Sequence, residues 1–412
     1  MGREVTLSEV LLARDLRAEA QRRMLEEYRK PLLSMTMNIA GPVKTSPLIE
    51  FAFRDTLNRL YARLGSALVS RQVTIAPTGP EAILVCSLPA RELKALALAE
   101  EACHPAARLC DLDVIGTDGE KLSRPQPRTC LVCGGPAGPC SRSRAHGLPA
   151  IQAAAEALLR TLAADRLSEY AAEALLKEVD LTPKPGLVDR RNNGAHSDMD
   201  LPLFHRSAQA LRPYFRRAAE LGLERGDCMP ALQQAGLEAE AAMFAATGGV
   251  NTHKGAVYAF GLILAAYAST LVRGGDLYEA ASSLAGAGVP PDPDTHGQQA
   301  RTLYGASGAR GEALLGFPHA RKAARVLQDE GPLAALLTLL AETDDTNLLH
   351  RGGQEGLRFV QERAADILRG PAEAYPALLE ALDDACIARD LSPGGSADLL
   401  ALAFLLERLG TA

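Results

Sequence analysis

Tryptophan is absent from the 412-residue chain, and aromatic residues together make up only 4%. A core so poor in rings must be filled by Ala and Leu, which points to many packed helices. Excess positive charge is also missing. The 44 Lys/Arg stand against 50 Asp/Glu for a net charge of −6, which argues against a general nucleic-acid binder. Residues 1–13 show no secretory leader, because acids sit among the apolar residues and no small-residue cleavage site follows. Eight cysteines without a leader are expected as thiols or ligands in a reducing compartment, so the expected location is cytoplasmic. Long apolar runs are lacking except at residues 255–272, which carry no charge and touch the lower limit for a spanning helix. That run holds two Tyr, a Ser and a Thr and has no companion, so it reads as a buried core helix and not a membrane span.

A chain of this length exceeds one ordinary core, and two domains are expected. Residues 1–150 carry 20 Lys/Arg against 16 Asp/Glu, whereas the remainder carries 24 against 34. The basic first half suits an acidic protein partner, although ordinary surface variation gives the same imbalance. Residues 125–149 are rich in Pro, Gly and Cys without periodicity, which sets domains at 1–150 and 151–412. The first reads as α+β. It has a helix over 8–30 with Ser8 as N-cap and Pro31 as stop, then a strand at LLSMTMNI. A helix over 47–69, a strand over 81–88, a helix over 90–101 and a strand over 108–115 follow. The second reads as helical almost throughout, over 151–179, 203–222, 230–247, 255–273, 275–286, 319–341, 355–369, 371–388 and 395–409. There is no internal repeat.

Asp111 and Asp113 stand two apart on the last of these strands, so both carboxylates share one face. Such a pair can hold Mg²⁺ against a phosphate chain, or can be two solvated surface acids. Lys121, Ser123 and Arg124 follow a Gly-containing turn that would bring cations back beside the carboxylates. Cys130, Cys133, Cys140 and His146 have the types and spacing of a closed zinc site, or are free thiols beside phosphate-gripping Arg128, Arg142 and Arg144. Taken with the stretch from Ser34 to Lys44 (SMTMNIAGPVK), the CDLDVIG, LSR and RTCLVC…C…R…H elements resemble the apo-citrate lyase phosphoribosyl-dephospho-CoA transferase family over residues 5–148. The resemblance implies a nucleotidyltransferase-like domain with a mixed sheet. It also implies attachment of a phosphoribosyl-dephospho-CoA group to a serine of the acyl carrier (gamma) subunit of citrate lyase, with loss of pyrophosphate.

Gly-rich polar loops punctuate the second half. They hold Lys184, Asp198 and Asp200; Gly248, Gly249, Asn251, Thr252, His253 and Lys254; Asp294 and Arg310; Asp344, Asp345, His350 and Arg351; and Asp398. Gly248 and Gly249 permit close approach of backbone to ligand, and Thr252, His253 and Lys254 stand at the start of the uncharged helix. A helix start with a lysine suits a phosphate chain, or is simply a cap. The loop is not a Walker motif, which would read G-x-x-x-x-G-K-[ST]. Asp198, Asp200, Asp294, Asp344 and Asp345 offer hard oxygen ligands for Mg²⁺.

As a set, KPGLVD…NGAHxDMD, GVNTHKG, DTHG, GARGEA, DTNLLHRGG and SPGGSADLLA resemble the triphosphoribosyl-dephospho-CoA synthase family over residues 165–405. That resemblance implies ATP and 3′-dephospho-CoA as substrates and adenine as leaving group, with the product feeding the first half. It implies catalytic parts for Asp198, Asp200, His253 and Asp345. The equivalent maturation of malonate decarboxylase is the alternative, and the citrate lyase-like first half argues against it.

Overall fold

The computed structural model describes residues 2–224, 228–288, 303, 306 and 308–411. The chain divides into two compact units. Unit 1 holds residues 2–163 together with Leu271–Gly274, and unit 2 holds residues 164–270 and the rest.

Unit 1 begins with α1 (Leu7–Tyr28). Its N-cap is Thr6, not Ser8: the Thr6 hydroxyl accepts from the Glu9 amide, and the Glu9 carboxylate accepts in return from the Thr6 amide. This reciprocal box satisfies two free donors at once, which a cap two residues later could not do here. Then come β1 (Leu32–Met37) and α2 (Pro47–Leu64), which Ser46 and Pro47 start and Gly65 ends. β2 (Leu68–Ala76) and β3 (Gly79–Cys86) follow, then α3 (Ala90–Ala102) and β4 (Cys110–Ile115).

The α+β class holds, but the sheet is antiparallel in all three pairings and not mixed, in the order β2-β3-β1-β4. One face buries Leu33, Met35, Leu84, Cys86, Cys110, Leu112 and Val114 with Phe53, Leu57 and Leu60 of α2 and Leu93 and Ala97 of α3. The other face meets Ala20 and Met24 of α1 through Leu32, Ile83 and Val85. β4 is an edge strand, and α3 closes it. The Leu112 amide donates to Glu101 Oε1 at 3.0 Å, and its carbonyl accepts from the buried Lys94 Nζ at 3.5 Å. An edge paired this way offers no ladder to another chain. A short α4 (Ala137–Ser143) completes the segment before α5 (Leu148–Asp180), which contains the division between units.

All the regular elements described in unit 2 are helices, joined by loops such as 181–200. Its elements are α6 (Leu201–Leu223), α7 (Met229–Thr247), α8 (Lys254–Arg273) and α9 (Leu277–Ala287). They continue with α10 (Gly308–Leu314), α11 (Pro318–Asp329), α12 (Pro332–Glu342), α13 (Thr346–Leu368), α14 (Tyr375–Ile387) and α15 (Gly394–Leu409). The single helix expected over 319–341 is two, because Gly331-Pro332 ends one and starts the next. The helix expected from 355 starts at Thr346 and kinks at Gly353.

α8 is the one described helix long and apolar enough to cross a membrane, and Ala256, Phe260, Ile263, Leu264, Ala265 and Ala266 along it are fully buried. A stripe of Ala lets neighbouring helices approach closely enough to fill the core without large rings.

Candidate active sites

In unit 1, burial along β4 alternates, so Cys110, Leu112 and Val114 enter the core while Asp111 and Asp113 stand on the opposite face. There Asp111 lies across from Thr36, and Asp113 across from Ser34, on β1. Lys121 returns to pair with Ile115, and its ammonium bonds the Asp113 carboxylate at Oδ2. Arg128 Nη2 donates to Asp111 Oδ1 at 2.8 Å and to Glu101 Oε1 at 2.7 Å. Each aspartate thus keeps a second oxygen for another ligand. Arg124, one of the expected cations, bonds Glu101 and not the aspartates. Lys44 is further along the loop after β1 and donates to the Ile39 carbonyl at 2.6 Å; burial first, then Arg14, lowers its pKa. Glu101 was not legible as a site residue, since it reads as one acid among several on a solvated helix end.

The Cys130, Cys133, Cys140 and His146 ligand atoms all lie within 4.8 Å of one another. None of the eight cysteines is in a disulfide. The Cys133 and Val132 amides pull the Cys130 thiol down to about 6.

In unit 2, α7 ends at Gly248 in the left-handed region (φ 68°), and Gly249 follows at φ 92°. Asn251 Oδ1 accepts the Lys254 amide at 3.2 Å. Lys254 itself is exposed and pairs with Glu240 at 3.0 Å. His253 is buried; its Nδ1 lies 2.7 Å from Ser207 Oγ, which lies 2.6 Å from Thr252 Oγ1. Phe204 meets the ring edge-on at 5.1 Å. Its Nε2 is buried without a hydrogen-bond partner. Burial, with Lys184 nearby, pushes its pKa down to about 3, so the ring is neutral at physiological pH.

Asp398, in the first turns of α15, accepts from the Ala256 amide of α8. Burial raises its pKa well above the carboxylate range, and Glu178 and then Asp345 add repulsion. Glu178 is buried near the end of α5 and binds Lys184 Nζ at 2.6 Å. Lys184 is itself 2% exposed, and its amide donates to Asp189 at 2.9 Å. Asp345 caps α13: Oδ1 accepts from the Asn347 and Leu348 amides, and Oδ2 from the Ser396 amide and hydroxyl. The structure therefore gathers Glu178, Lys184, His253, Asp345 and Asp398 about the start of α8.

Other expected residues lie at the ends of loops. Asp200 caps α6 by accepting the Leu203 amide at 2.7 Å, and Asp198 is exposed. Arg351 Nη1 donates to the Ala195 carbonyl at 2.8 Å and Asp390 at 2.7 Å, while its Nη2 lies 3.2 Å from His196 Nδ1. Arg310 donates to the Gly288 carbonyl at 3.2 Å. Asp344 and His350 are exposed, and Asp294 lies outside the described residues. Glu178 and Ser207 are residues the sequence did not single out, whereas Ser396 stands in the SPGGSADLLA motif. Glu178 had a signal: it falls between Leu175 and Val179 on the buried stripe of α5, where a carboxylate demands a cation.

Residues 5–162 match the apo-citrate lyase phosphoribosyl-dephospho-CoA transferase family. Residues 164–412 match the ATP:dephospho-CoA triphosphoribosyl transferase family. The chain is similar to Protein CitXG of Haemophilus influenzae, 37% identical over 444 residues that cover 97% of this chain and 96% of the relative. It is also similar to a probable 2-(5''-triphosphoribosyl)-3'-dephosphocoenzyme-A synthase of Pseudomonas putida, 43% identical over 60% of this chain and 96% of the relative. A 2-(5''-triphosphoribosyl)-3'-dephosphocoenzyme-A synthase of Pectobacterium atrosepticum is 42% identical over 60% of this chain and 89% of its own length.

Proposed function

The chain belongs to the apo-citrate lyase phosphoribosyl-dephospho-CoA transferase and ATP:dephospho-CoA triphosphoribosyl transferase families, joined in one polypeptide, and on that premise we propose that unit 2 builds the prosthetic group of citrate lyase and unit 1 attaches it. The observation that carries the reading is the buried cluster at the start of α8, where a neutral histidine with a spare nitrogen stands near carboxyls held above their usual range.

In unit 2 a ribose hydroxyl of 3′-dephospho-CoA attacks C1′ of the ATP ribose, the new O–C1′ bond forms, and the bond to adenine breaks. The transition state is oxocarbenium-like, so nearby carboxylates stabilise it. Asp398 takes the hydroxyl proton, because it stands at the first turn of α8 and burial makes its carboxylate a stronger base than an exposed one. In the tautomer where the Ser207 hydroxyl donates to Nδ1, His253 Nε2–H donates a hydrogen bond to the departing adenine, and the proton that Asp398 takes from the hydroxyl leaves with the adenine. The triphosphate lies along Gly248, Gly249, Asn251, Thr252 and Lys254, with Arg310 and Arg351 as further cations and His350 as a further hydrogen-bonding group. Two first-turn amides of α8 are already taken by Asn251 and Asp398, so Lys254 supplies much of the attraction. Asp345 and the Glu178–Lys184 pair position the cluster and do not touch substrate, since their polar atoms are engaged within the protein. Mg²⁺ would be held by exposed carboxylates such as Asp344 and Asp198, with Asp200 spent as a helix cap.

In unit 1, Asp111 and Asp113 would hold Mg²⁺ through their remaining oxygens, which would supply charge neutralisation for the leaving pyrophosphate. Lys121 and Arg128 hold the two carboxylates side by side and add positive charge next to the phosphates. The serine hydroxyl of the citrate lyase acyl carrier subunit attacks the phosphorus next to the ribose, the new O–P bond forms as the P–O bond to pyrophosphate breaks, and the hydroxyl proton leaves with the pyrophosphate. The reactants, ATP and 3′-dephospho-CoA, support a cytoplasmic location. Incubation of the chain with ATP, 3′-dephospho-CoA, Mg²⁺ and apo-carrier, followed by mass spectrometry of the carrier, tests the whole reading. A carrier mass gain equal to one prosthetic group supports it, and a gain dependent on a malonate carrier instead would redirect it.

A further inference from the structure

The segment between β4 and α5 has almost no core of its own: within 125–147 only Cys130 is buried. Its backbone is nonetheless tightly folded. The Cys130 amide donates to the Gly135 carbonyl at 2.5 Å, the Gly134 amide returns to Cys130 at 3.1 Å, and Thr129 bridges Pro136. α4 then presents Cys140, and the Ala145 amide bonds the Cys140 carbonyl at 3.1 Å just before His146. A loop of this length without buried apolar area needs another source of stability.

Two independent observations supply it. Cys133 Sγ and Cys140 Sγ are 3.6 Å apart. That is far from a disulfide bond and close to the edge of about 3.8 Å that two thiolates span on a tetrahedral zinc with bonds of ~2.3 Å. Separately, His146 Nε2 is buried and has no hydrogen-bond partner, although a satisfied core histidine would have one.

We propose that Cys130, Cys133, Cys140 and His146 bind one structural Zn²⁺, and that this ion fastens Arg128 against Asp111. The ligand set is closed, with three sulfurs and one nitrogen and no open position for substrate, so it suits a structural ion. Arg128 is two residues before the first ligand, and its carbonyl accepts the Ala137 amide at 2.9 Å, inside the same fold. Its guanidinium reaches outward to Asp111, Glu101 and the Arg108 and Cys110 carbonyls. Loss of the ion frees the stem from which Arg128 projects. The coupling to Asp111 rests on the transferase reading of unit 1; the presence of zinc does not.

The test uses the full-length chain. Elemental analysis after gel filtration is expected to give one zinc per chain, and Co²⁺ in its place should give thiolate-to-cobalt charge-transfer bands with tetrahedral d–d bands. A Cys133→Ser, Cys140→Ser double variant should lose the metal. Carrier labelling by this variant should fall roughly tenfold or more, with adenine release held within about twofold because unit 2 is untouched. Asp111→Asn should keep the zinc while losing labelling, which separates failure of the transferase reading from failure of the metal site. Wild-type chain that contains no zinc, and takes up neither Zn²⁺ nor Co²⁺, overturns the proposal, as does a double variant that retains one zinc. Zinc removal that leaves labelling unchanged overturns the link to Arg128. If the double variant does not fold, the cobalt spectrum of the wild-type chain decides the site, and chelation of the wild-type zinc decides the link.

Discussion

A β-carbon at residue 255 would lie 2.0 Å from Asp398 Oδ2, so Gly255 is what lets that carboxylate reach the first turn of α8. Gly255→Ala is expected to push Asp398 away and lower kcat/KM for adenine release by about a hundredfold, with little change in melting. Steady-state kinetics beside a thermal melt checks it, and unchanged kinetics would remove Asp398 from the reaction.

His253 gives a pH signature. Its folded pKa of about 3 lies below the unfolded value near 6.5, so the unfolded state binds the extra proton between them. Stability from this group is complete above about pH 6.5 and is lost as pH falls toward 3, at about 1.4 kcal/mol per pH unit. The raised Glu178, Asp345 and Asp398 act in the opposite sense, gaining stability as pH falls, and they are common to wild type and variant. Urea unfolding of wild type and His253→Gln between pH 7 and pH 4 should therefore show a difference that shrinks with acidity. A pH-independent difference would contradict a neutral buried imidazole.

The motif from Gly248 to Lys254 was legible residue by residue as a helix start with a lysine. That Asp398 shares the same turn was not, because only tertiary packing carries α15 to α8.

At the scale of elements, the caps decide the architecture. Asp345 satisfies two amides of α13 and two groups of Ser396, which fastens α15 to the start of α13. Asp345→Ala is expected to cost about 2–4 kcal/mol, the sum of a lost cap and an unpaired buried Ser396 amide, since the Ser396 hydroxyl keeps Thr343 as a partner. Denaturant unfolding measures it, and a loss within 0.5 kcal/mol, roughly that of an ordinary surface change, would show the cap to be idle.

The long apolar helices were readable from period alone, and most ends agree within a few residues. β2 was not foreseen: its outward face carries Val69, Arg71, Val73 and Ile75, so polar and apolar residues alternate without marking a core. β4 was readable because its apolar residues alternate with the two aspartates. Of the partners of those aspartates, Lys121 was legible from the turn that returns it to the strand, whereas Arg128 read as a phosphate-gripping loop cation and not as the partner of Asp111.

At the scale of the molecule, the chain divides into two compact units, and the two proposed activities should part by mutation. Asp111→Asn or Asp113→Asn is expected to abolish carrier labelling while adenine release stays within about twofold. Asp398→Asn should do the reverse, losing adenine release yet labelling the carrier when triphosphoribosyl-dephospho-CoA is supplied. Wild-type-like melting must accompany each variant. Loss of both activities in one well-folded variant would mean that the assignment of chemistry to units is wrong.

The central claim is that ATP gives up adenine and not phosphate. Mass spectrometry of the nucleotides after incubation of the full chain with ATP, 3′-dephospho-CoA and Mg²⁺ tests it most directly. The account predicts free adenine and a triphosphoribosyl adduct of dephospho-CoA in equal amounts, and neither when one substrate is withheld. Formation of ADP or phosphate with the adenine–ribose bond intact would contradict it.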